Sequence, residues 1–207
     1  MAGKIIQLDD TLFIGKGLHK KCYRHPENGA LCIKFAYNEL GSRDLARELK
    51  YLAIIKNRKK DYSVLAKYYG PVSTNYGTGY LYEHILDYDG KECKTLEDYL
   101  KDDELLKANL PVLIREMRKL KDILIENEII TMGISTINIL IQRTDATDGG
   151  YRVRVINDMG SAVVIPLEYY SSYLAKAKIR RHWKRFMDYI LGISSTPAAH
   201  ALVDAIK

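Results

Sequence analysis

Residues 129–160 read IITMGISTINILIQRTDATDGGYRVRVINDMG, and the reading of this stretch decides the fold. Two apolar runs of β type flank a polar, turn-rich insert, QRTDATDGG at 142–150. Alternating apolar residues on both sides of such an insert predict neighbouring strands. Asn138 stands at the first run and Asp158 closes the second. An Asn and an Asp at the ends of neighbouring strands can hold Mg²⁺ against nucleotide phosphates. Asx residues also cap strands and turns, so the meaning of this pair depends on the rest of the chain.

Upstream, residues 11–37 read TLFIGKGLHKKCYRHPENGALCIKFAY. TLFI predicts a strand, broken at Gly15 and Gly17 and resumed at Cys22-Tyr23. HPENG is a turn by composition, and LCIKFAY is a second apolar strand with Lys34 in its middle. A Gly-x-Gly turn lets backbone N–H groups approach phosphates, because no Cβ intrudes. A lysine within an apolar strand is costly unless its ammonium is paired; a hairpin with an edge-facing lysine is the simpler alternative. Residues 42–58 predict a helix with Ser42 as N-cap and Leu45, Leu49 and Leu52 at helical spacing. Glu48 adjoins that stripe and wants a cation, and Lys34 is available. Strands are expected near 67–74 and 79–86, followed by the polar segment DYDGKECK at 87–94, which suits a linker.

The second half reads as mostly helical. Thr95 caps a short helix over LEDYL, and 101–109 is a charged turn or loop. Residues 110–128 form a core helix with Leu113, Met117, Leu120 and Leu124 on one face. Beyond Gly160 a further helix carries Lys176, Lys178, Arg180, Arg181, Lys184 and Arg185 around Trp183. Such a pattern can bind nucleic acid or acidic lipid. A basic solvated face with Ile179, Trp183, Phe186 and Ile190 turned inward is the simpler reading. A short final helix ends the chain.

The 207 residues suffice for one large domain or two joined lobes. Hydrophobic content of 47%, charged content of 28% and a net charge of +6 are those of an ordinary globular protein with a mild preference for anionic partners. No apolar run spans a bilayer and no signal peptide is visible. Three cysteines, Cys22, Cys32 and Cys93, without metal-type spacing suit a reducing cytoplasm.

Taken in order, these pieces resemble the protein-kinase signature set. GKGLHKKCY is similar to the glycine-rich loop, with Gly15 and Gly17 as its first two glycines and Lys20 in place of the third. LCIKF resembles the lysine strand, which implies Lys34 as the phosphate-binding lysine and Glu48 as its helix partner. YLYEHI resembles the strand entering the hinge; Tyr82 is then the gatekeeper, and the backbones of Glu83 and Ile85 would meet adenine. Asn138-Ile139-Leu140 matches the end of the catalytic loop, and Asp158-Met159-Gly160 matches D-F-G. More closely, CIK, RELKYL, GTGY, the T-M-x-x-x-x-x-NIL loop and a late WKRF resemble the YrbL family, small bacterial kinase-like proteins linked to the PhoP regulatory network. The resemblance implies an α+β, two-lobed protein-kinase-like fold with a truncated helical C-lobe. It divides into a β-rich N-lobe over 1–86 and a helical C-lobe over 87–207. The expected ligands are ATP and Mg²⁺, with Asn138 and Asp158 on the metal.

The departures bear on activity. The catalytic-loop aspartate lies five residues before the asparagine in the kinase pattern, and that position is Gly133. Asp145 and Asp148, in the polar insert, are the nearby acids in sequence. Only residues 159–207 follow Asp158, too few for a full activation segment, although Pro166-Leu167-Glu168 echoes A-P-E. The sequence therefore supports three readings: atypical or weak phosphotransfer in a regulatory, nucleotide-binding protein; a pseudokinase scaffold that offers a nucleotide-sensitive surface without catalysis; or an interaction module that no longer binds nucleotide and uses the basic helix on an anionic partner. Nucleic acid and a membrane surface are not the favoured partners, and the acceptor is not named.

Overall fold

The structure is a computed structural model that describes residues 5–17, 19–145 and 150–207. Its first half is one antiparallel sheet. β1 (Phe13–Lys16), β2 (Lys20–His25), β3 (Asn28–Ala36), β4 (Tyr68–Thr74) and β5 (Gly77–Glu83) lie in the order β1-β2-β3-β5-β4. A small core of Leu8, Tyr23, Ile33 and Phe35 packs on it, with Val72 and Leu81 against its margin.

Between β3 and β4 runs α1 (Glu39–Ile55). It starts three residues before the predicted Ser42 cap. Asn38 is extended, and its side chain accepts from Gly41 N–H at 2.7 Å, so the true cap lies upstream. The buried face is Leu45, Glu48, Tyr51 and Ile55. Glu48 therefore lies within the buried face rather than at its margin.

The second half pairs β6 (Lys94–Thr95), β7 (Ile139–Arg143) and β8 (Tyr151–Val155) in a short antiparallel sheet beside four helices. α2 (Leu96–Lys101) opens with a capping box between Thr95 and Asp98. α3 runs Asp103–Glu126, so 103–109 is its first two turns rather than a separate loop. Asp102 caps it through Leu105 N–H at 3.0 Å, and Pro111 is carried inside the helix. α4 (Ser172–Ile193) and α5 (Pro197–Ile206) complete the chain. The large core joins Leu113, Met117, Leu120 and Leu124 of α3 to Ile179, Trp183, Phe186 and Ile190 of α4, as their spacing predicts. The chain is thus α+β, with antiparallel sheets and several helices.

Hydrogen bonds and ion pairs tie the halves together. Val155 N–H donates to Val64 O at 2.7 Å and Ala66 N–H to Val155 O at 2.9 Å. Arg154 meets the Glu83 carboxylate at 2.6 Å. Lys34 of β3 reaches the Ile156 carbonyl just after β8.

The segment after Gly160 is pinned from beneath. Lys178 Nζ bonds Glu168 Oε1 at 2.5 Å and Ser161 Oγ at 2.6 Å, and Ser161 N–H donates to the Tyr169 hydroxyl at 2.6 Å. Lys178 is buried and does not belong to the basic surface where the sequence put it. Its position falls on the inner face of α4, and its charge is spent on Glu168. Among the described residues no helix is long and apolar enough to cross a membrane.

Trp183 is 2% exposed, and its Nε1 donates to Ile206 O at 2.9 Å, holding the end of α5 on α4. Trp183→Ala should lower the unfolding free energy by about 3–5 kcal/mol and free the α5 amides to exchange. Urea titration and hydrogen exchange check this; a loss under about 1 kcal/mol would mean that the site collapses around the gap.

Candidate functional site

A cleft runs between the two sheets. One end, of about 500 Å³, is lined by Gly15, Cys32, Lys34, Glu83, Ile85 and Leu140, among others. The other, of about 330 Å³, is lined by His19, Asp44, Met132, Gly133, Asp158 and Ala162, among others. Gly17, Lys20, Ile137, Asn138 and Asn157 border both ends, so these are two parts of one space.

The cleft has a polar floor built from both halves. Lys34, 6% exposed, donates to Ile156 O at 2.5 Å and Asn157 Oδ1 at 3.1 Å. Its ammonium also lies 4.3 Å from the centre of the Tyr82 ring. Asn157 Nδ2 donates to Asn138 Oδ1 at 3.2 Å, and Asn138 Nδ2 donates to Asp158 Oδ2 at 2.6 Å. Lys34, Asn157, Asn138 and Asp158 thus form one continuous hydrogen-bonded chain.

Glu48 is satisfied differently from the sequence expectation. It pairs with Lys20 at 2.8 Å and accepts from the Tyr82 hydroxyl at 2.8 Å. Lys34 is not its cation. Lys20, in the position of the missing third glycine, reaches Glu48 from β2, while Lys34 is drawn down to the carbonyl and amide oxygens beyond β8. Lys34 therefore sits in the cleft with neutral oxygen partners and no carboxylate among the described residues. Residue identity alone could not decide which of two nearby lysines takes one buried carboxylate.

Asp158 has φ 64°, a left-handed conformation uncommon for any residue but glycine and most accessible to Asn and Asp. Gly160 follows at φ 99°, where a Cβ would meet the Tyr169 hydroxyl and Tyr51 Cβ, both at 2.9 Å. Backbone strain of this kind collects where side-chain direction matters. Burial raises the Asp158 pKa; Lys20 opposes the rise, while Glu48 and Asp44 add to it. Asp44, from the first turns of α1, was not singled out by the sequence and has no motif to reveal it. Asn157 had one available signal, its place directly before Asp158.

The two loop glycines are not required by packing. A Cβ on Gly15 would meet nothing within 4 Å, and one on Gly17 only Lys20 O at 3.9 Å. Open space at both suits a ligand that approaches the backbone closely. At the 500 Å³ end, the Glu83 carbonyl accepts from the Cys32 thiol at 3.6 Å, a weak bond. No group among the described residues accepts from the Ile85 N–H. The three free cysteines all border this end. The Cys32 thiol is pulled down to about 7 by its hydrogen bond with Cys22, against burial and with help from Lys34 and His84.

Gly133 borders the cleft with no side chain to act as a base. Asp145 lies beside Gly150 at the far end of β7 from Asn138, so it does not reach the cleft. Asp148 lies outside the described residues. Among the described residues no three His, Cys, Asp or Glu side chains converge on a metal position.

The raised Asp158 pKa has a definite sign. The folded chain holds this proton more tightly than the unfolded chain, so the contribution to stability is full below the ordinary value of 3.8 and is lost as pH rises through the raised folded value. Asp158→Asn, which also tolerates the left-handed backbone, should raise the Tm of the ligand-free protein at pH 7 and flatten its pH dependence in that window. A lower Tm at pH 7 in calorimetry would contradict this account of the site.

The sequence profile described as PhoP regulatory network protein YrbL matches residues 6–190. The YrbL protein of Escherichia coli (strain K12) is 36% identical over 185 residues, covering 88% of this chain and 87% of that protein. The YrbL protein of Shigella flexneri matches with the same identity and coverage. A profile match over most of the chain, joined to relatives aligned along most of their own length, means that this chain belongs to the YrbL family of PhoP regulatory network proteins.

Proposed function

We propose that the chain is a kinase-like protein of two lobes, 1–86 and 87–207, that binds ATP with Mg²⁺ in the cleft between them. Its role is regulatory, in the cytoplasm, within the network that gives the family its description, and any phosphotransfer is atypical or weak. The observation that carries this reading is the unbroken chain from Lys34 through Asn157 and Asn138 to Asp158. It sets a buried cation without a carboxylate at one end and a carboxylate at the other, under two glycines with room above them. A polyphosphate would supply the anion that Lys34 lacks.

Each residue has a task in this reading. The Gly15–Gly17 backbone covers the phosphates, and Lys34 and Lys20 hold their charge. The Glu83 carbonyl and the Ile85 N–H face adenine, which offers a complementary donor and acceptor edge. Asn138 and Asp158 provide amide and carboxylate oxygens, the hard ligands Mg²⁺ prefers, and their small number suits an ion that completes its shell with phosphate oxygens and water. When bound, the ion would neutralise charge on the transferred phosphoryl group. Glu48 acts through Lys20, keeping that lysine extended along the cleft.

The second reading, a pseudokinase that binds nucleotide without transferring it, is favoured by Gly133. A missing general base typically costs 10²–10⁴-fold in rate. Phosphoryl transfer depends mostly on positioning and electrostatics, so the loss of the base slows the reaction without excluding it.

Thermal unfolding separates these readings from a fold that does not use its cleft. With ATP–Mg²⁺ at 100 times Kd, wild type should gain about 2.7 kcal/mol, roughly 5–10 °C in Tm. Lys34→Ala should lose the gain altogether, and Asp158→Ala its Mg²⁺-dependent part. An unchanged wild-type Tm would refute nucleotide binding. A Tm gain without transfer of the γ-phosphoryl group to protein or water would select the pseudokinase.

A further inference from the structure

The segment that follows Gly160 exposes apolar side chains in an unusual concentration. Val163, Val164 and Ile165 are consecutive and 53%, 94% and 73% exposed. Leu167 is 60% exposed, and Tyr170 and Tyr173 are each 80% exposed. This is not a loose tail. The same segment is fixed from below by the Glu168–Lys178 pair and by the Tyr169 hydroxyl on Ser161 N–H. A folded chain that anchors a loop from inside while turning its aliphatic residues outward presents a contact surface.

Charge continues the surface along α4. Ala177, Arg180 and Lys184 follow Tyr173 at helical spacing and share its solvent face, with Arg181 and Arg185 beside them. Residues 162–188 hold six Lys or Arg and two acids: Glu168, which is already bound to Lys178, and the exposed Asp188 one turn beyond Lys184. None of Arg180, Arg181, Lys184 and Arg185 forms an ion pair among the described residues.

We infer that Val163–Tyr173 and the cationic face of α4 form a peripheral docking surface for an anionic lipid bilayer. The three components match the layers of such a surface. Aliphatic side chains reach the acyl boundary, tyrosines sit at headgroup level, and arginine and lysine meet the phosphates. Charge decides against a second copy of the chain, because a symmetric contact would set each cationic face against its twin. The sequence alone disfavoured a membrane because it showed only the basic helix. The exposed aliphatic run beside that helix becomes visible only in the fold. The inference does not depend on nucleotide binding.

Vesicle co-sedimentation of the full chain tests it, with phosphatidylcholine alone and with a phosphatidylglycerol-rich mixture. Wild type should pellet with the anionic vesicles and not with the zwitterionic ones. Binding should weaken at about 1 M salt, where the Debye length is about 3 Å. Arg180→Gln with Lys184→Gln should reduce it at least about tenfold, and Val164→Asp with Ile165→Asp by a comparable factor. These four side chains are on the surface, so Tm should stay near wild type; if the aspartate variant unfolds, Val164→Ser with Ile165→Ser replaces it. No pelleting with anionic vesicles overturns the inference, as does equal pelleting with both compositions. Indifference to the apolar substitutions reduces the surface to charge alone and refutes insertion. A wild-type dimer in sedimentation analysis that Val164→Asp dissociates would assign the surface to a second copy instead.

Discussion

An ammonium taken out of water must find oxygen atoms, and at Lys34 those oxygens belong to the other half of the molecule. The bonds to Ile156 O and Asn157 Oδ1 join β3 to the chain beyond β8. Desolvating a lysine without such partners would cost several kcal/mol. The two halves are therefore held in register by a polar requirement as well as by the Val64–Val155 backbone bonds beside it. Breaking that register would strand a buried charge, whereas separating an apolar contact would merely wet it.

The same requirement shapes the rest of the cleft. Glu48 is 1% exposed and needs its own compensation, which comes from Lys20 and the Tyr82 hydroxyl. Tyr82 thus serves both charges: its hydroxyl donates to the carboxylate and its ring face lies near the Lys34 ammonium. Since Glu48 is satisfied elsewhere, the positive charge of Lys34 is not cancelled locally. The opposing carboxylate, Asp158, is separated from it by two amide side chains and strained into a left-handed backbone. The two asparagines bridge the charges, each supplying a neutral donor and acceptor between them.

Much of this was legible in the sequence where a local rule decides the outcome. The strands around the 142–150 insert, the apolar faces of α3 and α4 and the Thr95 cap follow from periodicity and hydrogen-bond chemistry. Gly15, Gly17, Lys34, Asn138 and Asp158 do border one cleft, although they lie far apart in the chain. The misses arose where a choice between similar partners, or packing between distant elements, decided the outcome. Asn38 and Ser42 can both cap a helix, and the one with extended backbone prevails. Lys20 and Lys34 both lie on neighbouring strands of the first sheet, and it is Lys20 that pairs with Glu48. Residues 103–109 read as a charged turn or loop, yet α3 takes them in because Asp102 caps the helix earlier. Lys178 reads as part of a basic stripe until the facing residue proves to be Glu168. Asp44 joins the cleft solely through the packing of α1, which no local pattern encodes.

The segment after Gly160 shows how a short connection keeps its order. Fewer than a dozen residues link Gly160 to α4. They cannot build a packed layer of their own, so their order comes from polar anchors beneath: Ser161 to Glu168 and Lys178, and Tyr169 to Ser161 and Arg58. Fully burying one Val or Ile side chain is worth about 1.5–3 kcal/mol, so leaving Val164 and Ile165 in water forgoes a gain that a polar loop would never have offered. The anchors would hold the backbone equally well with serines at those positions. The aliphatic side chains therefore answer to a surface outside the chain, and the cations along α4 state its charge.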